Sequence, residues 1–317
     1  MNIADRYEYD VKPVQLENKK WINTRATKDT RYTNYLIHKQ VELSEKERWA
    51  IDILKMALKR SDKPILACSF GIDSIIALYL TRIALKELGR SHHDLRVVWC
   101  DTANEFQDVR EYQKRITKEW DLNLIVMKPK KTLKHIINAH GGVTDDYFTA
   151  RKGDRTIKGT KGTRPLSEKC CGTLKHEPMK RFLKENKGDL IIVGTRADES
   201  MVRFQTGLRD GEYFYSTKEW KSFVCRPIQW WVDDDIWNYV EKDNIPYNTL
   251  YDKNNILSYP KQKDLDRIIE TNKEFLISGS IDIDLLKSQE LGTVDRKKAK
   301  VLEKLGFKMF TPRTGCM

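Results

Sequence analysis

The chain lacks any apolar run approaching the ~18 residues of a membrane span, and no cationic-then-apolar leader follows Met1. Neither a membrane protein nor a secreted one is therefore expected. Cysteine is sparse as well. Six are scattered through 317 residues at no regular spacing, unlike a secreted disulfide framework, so a reducing cytoplasm is the expected setting. Acids fall short of bases, 46 against 58, which leaves a formal net charge of +12. That excess suits a polyanionic partner, phosphorylated small molecules or nucleic acid, and equally suits an ordinary basic enzyme. Internal repeats and low-complexity tracts are missing. So are the two commonest glycine signatures of nucleotide sites, the mononucleotide loop ending in Gly-Lys-Ser/Thr and the Rossmann Gly-x-Gly-x-x-Gly.

What is present is enough chain for a sizeable core in one or two domains, with a mean hydropathy of −0.64 and 33% charged residues. Residues 1–44 make a basic arm with scattered aromatics, among them Trp21, Tyr32 and Tyr35, and no sustained period. Such an arm could stack on a nucleic-acid strand or wrap over the main domain. From there the periodicity predicts helices over 45–59, 74–88, 105–119, 132–139, 172–185 and 233–242. Apolar strands are predicted over 64–68, 95–100, 123–128 and 189–194. Alternation of continuous apolar strands with helices implies an α/β fold, a doubly wound, mainly parallel sheet covered on both faces. Residues 45–252 would form this Rossmann-like domain. Residues 253–317 would form a charged C-terminal helical extension, with helices at 262–277 and 295–305. Trp230, Trp231 and Trp237 are expected in the core, Cys68 and Cys225 in or beside strands, and His92-His93 in solvent with no matching ligand pair.

Sheets of this kind bind ligands at the carboxyl ends of their strands, which makes the loops after Cys68, Cys100, Lys128 and Gly194 the informative ones. The first, Ser69-Phe70-Gly71-Ile72-Asp73-Ser74, is a small-residue turn between a strand and a helix. It aims backbone N–H groups at one spot, where the helix N-terminus adds roughly half a positive charge. Gly71 permits close approach, Ser69 and Ser74 can donate hydroxyls, and Asp73 could cap the helix or orient a magnesium ion. A phosphate is the expected occupant.

Five blocks carry a more specific signal. "SFGIDS" (69–74) resembles the phosphate loop, Ser-Gly-Gly-x-Asp-Ser, of the N-type ATP pyrophosphatase and PAPS reductase superfamily. "WCDTANEF" (99–106) resembles the Asp-Thr-Gly block of the PAPS reductase family, and "EKCCGTLKHEPMKRFL" (168–183) its Cys-Cys-x-x-Leu-Lys-x-x-Pro block. "VGTRADESMVR" (193–203) is similar to Gly-x-Arg-x-x-Glu-Ser, and "RPIQWWVDDDIWNYV" (226–240) to Pro-Ile-x-x-Trp followed by Asp-Ile-Trp-x-Tyr. The five stand in the family's order across about residues 60–252. The resemblance implies an adenine nucleotide alpha-hydrolase-like fold.

It also implies roles. Ser69, Phe70, Gly71, Asp73 and Ser74 would hold the phosphate or pyrophosphate, with Cys100, Asp101 and Thr102 beside the adenosine. Gly194 would let the nucleotide approach the backbone. Arg196, Arg203 and Lys175 would be cations for sulfate or phosphate oxygens, and Glu199 would orient the arginines or form a surface ion pair with Arg203. The reaction divides the superfamily. Reductases take PAPS or APS and attack its sulfur with a cysteine thiolate; ATP pyrophosphatases take ATP and Mg2+ and adenylate a substrate, often for thiolation of tRNA or DNA.

Ser-Phe-Gly favours the reductases, and Asp73-Ser74 favours the pyrophosphatases. The reductase tail Glu-Cys-Gly-x-His is missing, which leaves Cys316 as the candidate nucleophile, with Asp73 the second catalytic candidate. Cys170, Cys171 and Cys316 would be the ligands of a 4Fe–4S cluster, if one is bound. A thioredoxin-like protein or a cysteine desulfurase would be the sulfur partner. The Gly-rich basic stretch 151–164 reads either as a lid over phosphates or nucleic acid or as a solvated loop. Sulfonucleotide reduction or sulfur transfer is the leading expectation. ATP pyrophosphatase activity, in nucleic-acid modification or mobile-element defence, comes next, and a non-catalytic nucleotide- or nucleic-acid-binding subunit third.

Overall fold

The apolar run Pro64–Ala67 becomes strand β1, and strand alternation sends Ile65 to one face of a sheet and Leu66 to the other. Both are fully buried, the mark of a strand covered by helices on both sides. The computed structural model describes residues 14–15, 21–22, 28–139, 171–216 and 220–310. Strands β2 (Arg96–Cys100), β3 (Leu124–Met127) and β4 (Leu190–Val193) follow the same pattern. β2 and β4 flank β1 in parallel, and β3 lies outside β2. β5 (Tyr213–Ser216) and β6 (Ser222–Cys225) close the sheet as an edge pair, β6 parallel to β4 and β5 antiparallel to β6. The order is β3-β2-β1-β4-β6-β5, mainly parallel as expected, with an edge hairpin that the apolar pattern did not announce.

Eight helices serve this sheet among the described residues: α1 (Lys28–Gln40), α2 (Leu43–Lys59), α3 (Ile72–Glu87), α4 (Gln107–Glu119), α5 (Leu133–Ala139), α6 (Glu177–Asn186), α7 (Met201–Asp210) and α8 (Asp233–Lys242). α6 packs Met179, Phe182 and Leu183 onto Ile65, Val98, Ile191 and Val224. α2 and α3 pack on each other and reach β6 and β4. At the start of α8, Asp235 accepts from Val232 N at 2.9 Å and from Lys46 Nζ of α2 at 2.7 Å, a buried ion pair joining two helices. Trp230, Trp231 and Trp237 are buried, as are Cys68 and Cys225, in line with expectation.

The arm departs from its description. Residues 28–40 are helical, and Tyr35 packs on Phe204 and Trp230 with ring centroids 4.9 and 5.7 Å away. Arg31 adds a hydrogen bond to the Leu208 carbonyl at 3.0 Å. The apolar face here is tyrosine-built, and tyrosine counts for little on a hydropathy scale. The predicted 172–185 helix starts instead with a π turn at Gly172–His176.

Residues 1–105 and 112–247 form one compact unit, and residues 106–111 and 248–317 a second. The second has its own core, with Leu265, Ile269, Leu276, Leu286 and Leu302 at its centre. Its strands β7 (Asn255–Ser258) and β8 (Lys308–Phe310) pair antiparallel. Helices α9 (Gln262–Thr271) and α10 (Lys273–Ser278) divide the expected 262–277 helix at Asn272, whose side-chain amide takes the Ile268 carbonyl at 2.8 Å. The short α11 (Ile283–Lys287) was not expected, and α12 (Arg296–Lys304) was. Among the described residues no helix is long and apolar enough to cross a membrane.

Candidate nucleotide site

β1 ends at Ala67 and α3 starts at Ile72, so the turn between them must reverse direction within four residues. It does so through Phe70, at φ +58 in the left-handed region that costs a non-glycine residue about 1–2 kcal/mol. The ring repays that strain by complete burial, edge-on to Trp99 and Tyr112 with centroids 6.0 and 6.5 Å distant. The Phe70 ring is thus an anchor beneath the turn, and only the backbone of Phe70 faces the turn's open side. Gly71 N donates to Ser69 Oγ at 3.3 Å, and Ser74 Oγ donates to the Gly71 carbonyl at 2.8 Å. The buried Ser74 hydroxyl therefore shapes the turn, while Ser69 is exposed above it. Gly71 is the N-cap of α3, which turns the first-turn N–H groups of the helix toward the loop.

Asp73 does not cap the helix. Its Oδ1 accepts from Arg196 Nε at 2.7 Å, across 123 positions of sequence. Arg196 is almost wholly buried and meets two more carboxylates, Asp198 and Asp233, each at 3.5 Å. Asp198 also accepts from Asp233 N at 3.1 Å, at the start of α8. The guanidinium expected to face substrate oxygens is instead enclosed by acids and ties the turn, the segment after β4 and α8 together. Burial raises the Asp73 pKa above the ordinary carboxylate value, and Arg196 only partly offsets it. Asp198 and Asp233 were not among the expected site residues, although both lie within the family-like blocks 193–203 and 226–240.

Gly194 serves the same assembly. A Cβ there would stand 2.6 Å from the Asp73 carbonyl carbon and 2.8 Å from Ser74 N, so its bareness admits the phosphate turn itself. Arg196 N donates to Glu199 at 3.1 Å, and Glu199 also pairs with Arg203 one helical turn on.

At the end of β2 the chain closes a second tight turn. Thr102, buried, donates Oγ1 to Glu105 at 2.6 Å, and Asp101 accepts from Ala103 N at 2.9 Å. Ala103 sits at φ +61, at the position where the resembled block carries glycine. Ala103→Gly is expected to raise stability by about 0.5–1 kcal/mol, since relief of left-handed strain outweighs the added freedom of the unfolded chain. Denaturant melts of the two proteins check it. Cys100 is half-buried and donates weakly to the Lys175 carbonyl at 3.4 Å; burial pushes its thiol up to about 11. It is therefore a neutral thiol near pH 7. Lys175 lies near enough to act on it electrostatically, and its ammonium makes no ion pair among the described residues.

A model of the phosphoadenosine phosphosulfate reductase domain matches residues 63–316. The chain belongs to that family. Among curated relatives, an adenosine 5'-phosphosulfate reductase of Lysinibacillus sphaericus (strain C3-41) is 27% identical over 215 residues, which is 67% of this chain and 78% of the relative. Another from Bacillus cereus (strain 03BB102) is 28% identical over 217 residues, 67% of this chain and 79% of that one. Among solved structures, a PAPS reductase from Candida auris in a phosphate complex aligns with a TM-score of 0.45 at 13% identity, over 71% of this chain and 91% of that one. The U34-tRNA thiolase NcsA from Methanococcus maripaludis with its 4Fe–4S cluster aligns with a TM-score of 0.43 at 14% identity, over 83% and 80%.

Magnesium and a 4Fe–4S cluster were the two cofactor expectations. Asp73, Asp198 and Asp233 converge on Arg196 rather than leaving a carboxylate pocket, so they do not fit a magnesium site. For a cluster, Cys170 and Cys316 lie outside the described residues, as does the stretch 151–164. Among the described cysteines Cys171 is exposed, while Cys68 and Cys225 are buried in or beside the sheet. No thiol joins Cys171 in a metal-sized group among the described residues.

Proposed function

We propose that this chain is a sulfonucleotide-acting member of its family. It binds APS or PAPS with the nucleotide phosphate on the turn 69–74 and passes the activated sulfur to a thiol. The observation that carries the reading is the built phosphate turn at the amino end of α3, held by Phe70 below and by Asp73–Arg196 at the side. Backbone N–H groups and the Ser69 hydroxyl would hold the phosphate, with Lys175 and Arg203 toward the sulfate. The names of the curated relatives support the same substrate class. In the reaction proposed, the Cys316 thiolate attacks the sulfur, an S–S bond forms, the S–O bond to phosphate breaks, and AMP or its 3'-phosphate leaves. A thioredoxin-like dithiol then attacks the S-sulfocysteine at cysteine sulfur. Sulfite departs and the dithiol is left as a disulfide, which closes the two-electron balance.

Asp73-Ser74 favour a second reading, cleavage of ATP to pyrophosphate with adenylation of a substrate for thiolation. One experiment separates the two. The purified chain is incubated with APS or PAPS and a reduced dithiol protein, and separately with ATP and Mg2+. Sulfite formation that disappears in Cys316→Ser is the expected result. Pyrophosphate release without sulfite would replace the first reading by the second, and nucleotide binding without either product would leave a binding subunit.

A further inference from the structure

The sheet has a second end. Parallel strands that carry the phosphate turn at their carboxyl ends must start together at the opposite edge, and there the starts of β2 and β3 bring three ligand-type side chains together. His92 and His93 form a short 3-10 turn just before β2, and Asp121 lies just before β3. Both imidazoles aim Nε2 at the same carboxylate oxygen, His93 at 3.0 Å and His92 at 3.5 Å from Asp121 Oδ2. The rings lie 4.2 Å apart at 36°. His92 Nε2 is shielded from solvent and has no hydrogen-bond partner, so one of its two ring nitrogens is aimed at the cluster and left unsatisfied. The dipeptide is solvent-accessible as expected, and the carboxylate it meets stands 28 or more positions on, which no local spacing could reveal.

We propose that His92, His93 and Asp121 form a divalent transition-metal site, of the imidazole–imidazole–carboxylate type that suits Zn2+. Metal–ligand distances of about 2.0–2.2 Å place the donor atoms of a tetrahedral ion about 3.3–3.5 Å apart. The two nitrogen-to-oxygen distances already fall within a few tenths of an ångström of that, and all three donor atoms lie within 4.8 Å of one another. Two nitrogens and one oxygen suit Zn2+, Ni2+ or Cu2+ better than the oxygen-seeking Mg2+ or Ca2+.

The backbone on both sides is fixed before any ion arrives. Ser91 Oγ accepts from His93 N at 3.2 Å, Asn123 Nδ2 donates to the His93 carbonyl at 3.0 Å, and Asp121 is held at φ +49. Side-chain exposure of 36%, 52% and 74% leaves room for water to complete the coordination shell. Arg82 of α3 also faces Asp121 electrostatically while donating to the Trp120 carbonyl at 2.6 Å, and its charge holds the affinity down. A bound ion joins the starts of β2 and β3 and stabilises that edge by mass action.

The test uses the full chain stripped with a chelator, titrated with Zn2+ by calorimetry and with Co2+ by visible absorption, beside thermal melts. One ion per chain, a Co2+ spectrum of nitrogen and oxygen ligation, and a higher melting temperature are expected. His93→Ala and Asp121→Gly should each weaken binding by more than about tenfold, a loss that even outer-shell partners of metal ligands can produce. Glycine suits the left-handed backbone at 121, so that variant removes the carboxylate while keeping the fold. Failure of the wild-type chain to bind would overturn the proposal. So would binding undiminished in both variants, or a thiolate charge-transfer spectrum that they leave unchanged, because either would put the ion on other residues.

Discussion

Gly194→Ala is expected to weaken adenine-nucleotide binding by about tenfold or more, a loss of about 1.4 kcal/mol or more as the turn's backbone donors are displaced. The added methyl would stand 2.6 and 2.8 Å from the carbonyl carbon of Asp73 and the amide nitrogen of Ser74. Those are backbone atoms of the first turn of α3, and no rotamer change can clear them. Either β4 or the turn must shift, and the turn is the shorter and freer of the two. Overpacking of this kind costs about 1–3 kcal/mol of stability, so the folded chain should survive with its phosphate cradle displaced. Calorimetric titration with APS and with AMP, beside a denaturant melt, checks both halves. An alanine variant that binds nucleotide as the parent does would show that the turn is not positioned through Gly194.

The second large effect concerns the guanidinium enclosed by acids. Arg196→Ala should destabilise the chain by about 3 kcal/mol near neutral pH, because it leaves the largely shielded Asp73 carboxyl without its partner. The pH dependence follows from the direction of the Asp73 shift. Its pKa in the folded chain is raised by burial despite Arg196. The folded state therefore holds that proton more tightly than the unfolded chain does. Stability is lost as pH rises from the ordinary carboxylate value through the raised one, and that cost is absent below both. Removing Arg196 takes away the main influence that lowers the pKa, which deepens the cost at neutral pH and leaves it absent in acid. The gap between parent and variant, measured by denaturant melts, should thus narrow from about pH 7.5 to about pH 4.5. Adding Asp73→Asn to the variant should recover much of the loss, since the two changes share one interaction. A gap that widens in acid, or a double variant no better than the single one, would mean that Arg196 acts chiefly through packing.

The sheet was legible in the sequence where burial is total. Pro64–Ala67, Leu190–Val193 and the helix Asp233–Lys242 were readable to within a residue or two, because a strand covered on both faces needs an unbroken apolar run and α8 opens on an acid cluster. The edge pair β5–β6 was not. Each strand is only four residues long, and the antiparallel edge strand β5 is built on Tyr213, Phe214 and Tyr215, whose two hydroxyls weaken its apolar signal.

At the site, the turn itself was readable, since Ser69, Gly71 and Ser74 act within six positions of one another. The partners were not. Asp73–Arg196, Arg196–Asp233 and the approach of Gly194 to the turn all join residues from separate strands and helices, and one sequence carries no record of which distant charges meet. Phe70 shows the converse. Its residue type was noticed for family resemblance, while its physical task, a buried ring that fixes a left-handed backbone, depends on Trp99 and Tyr112 arriving from β2 and α4.

The enclosure of Arg196 also sets an order of events as the chain is made. Asp73 waits for a partner 123 positions downstream, and that partner meets Asp233 only 37 positions later still. While the first half of the sheet is emerging from the ribosome, the phosphate turn has its floor in Phe70 but no side wall. Such distant pairings are slow to form and come after local structure. A nascent chain that stops short of β4 and Arg196 would carry every residue of the turn without the partner that fastens Asp73.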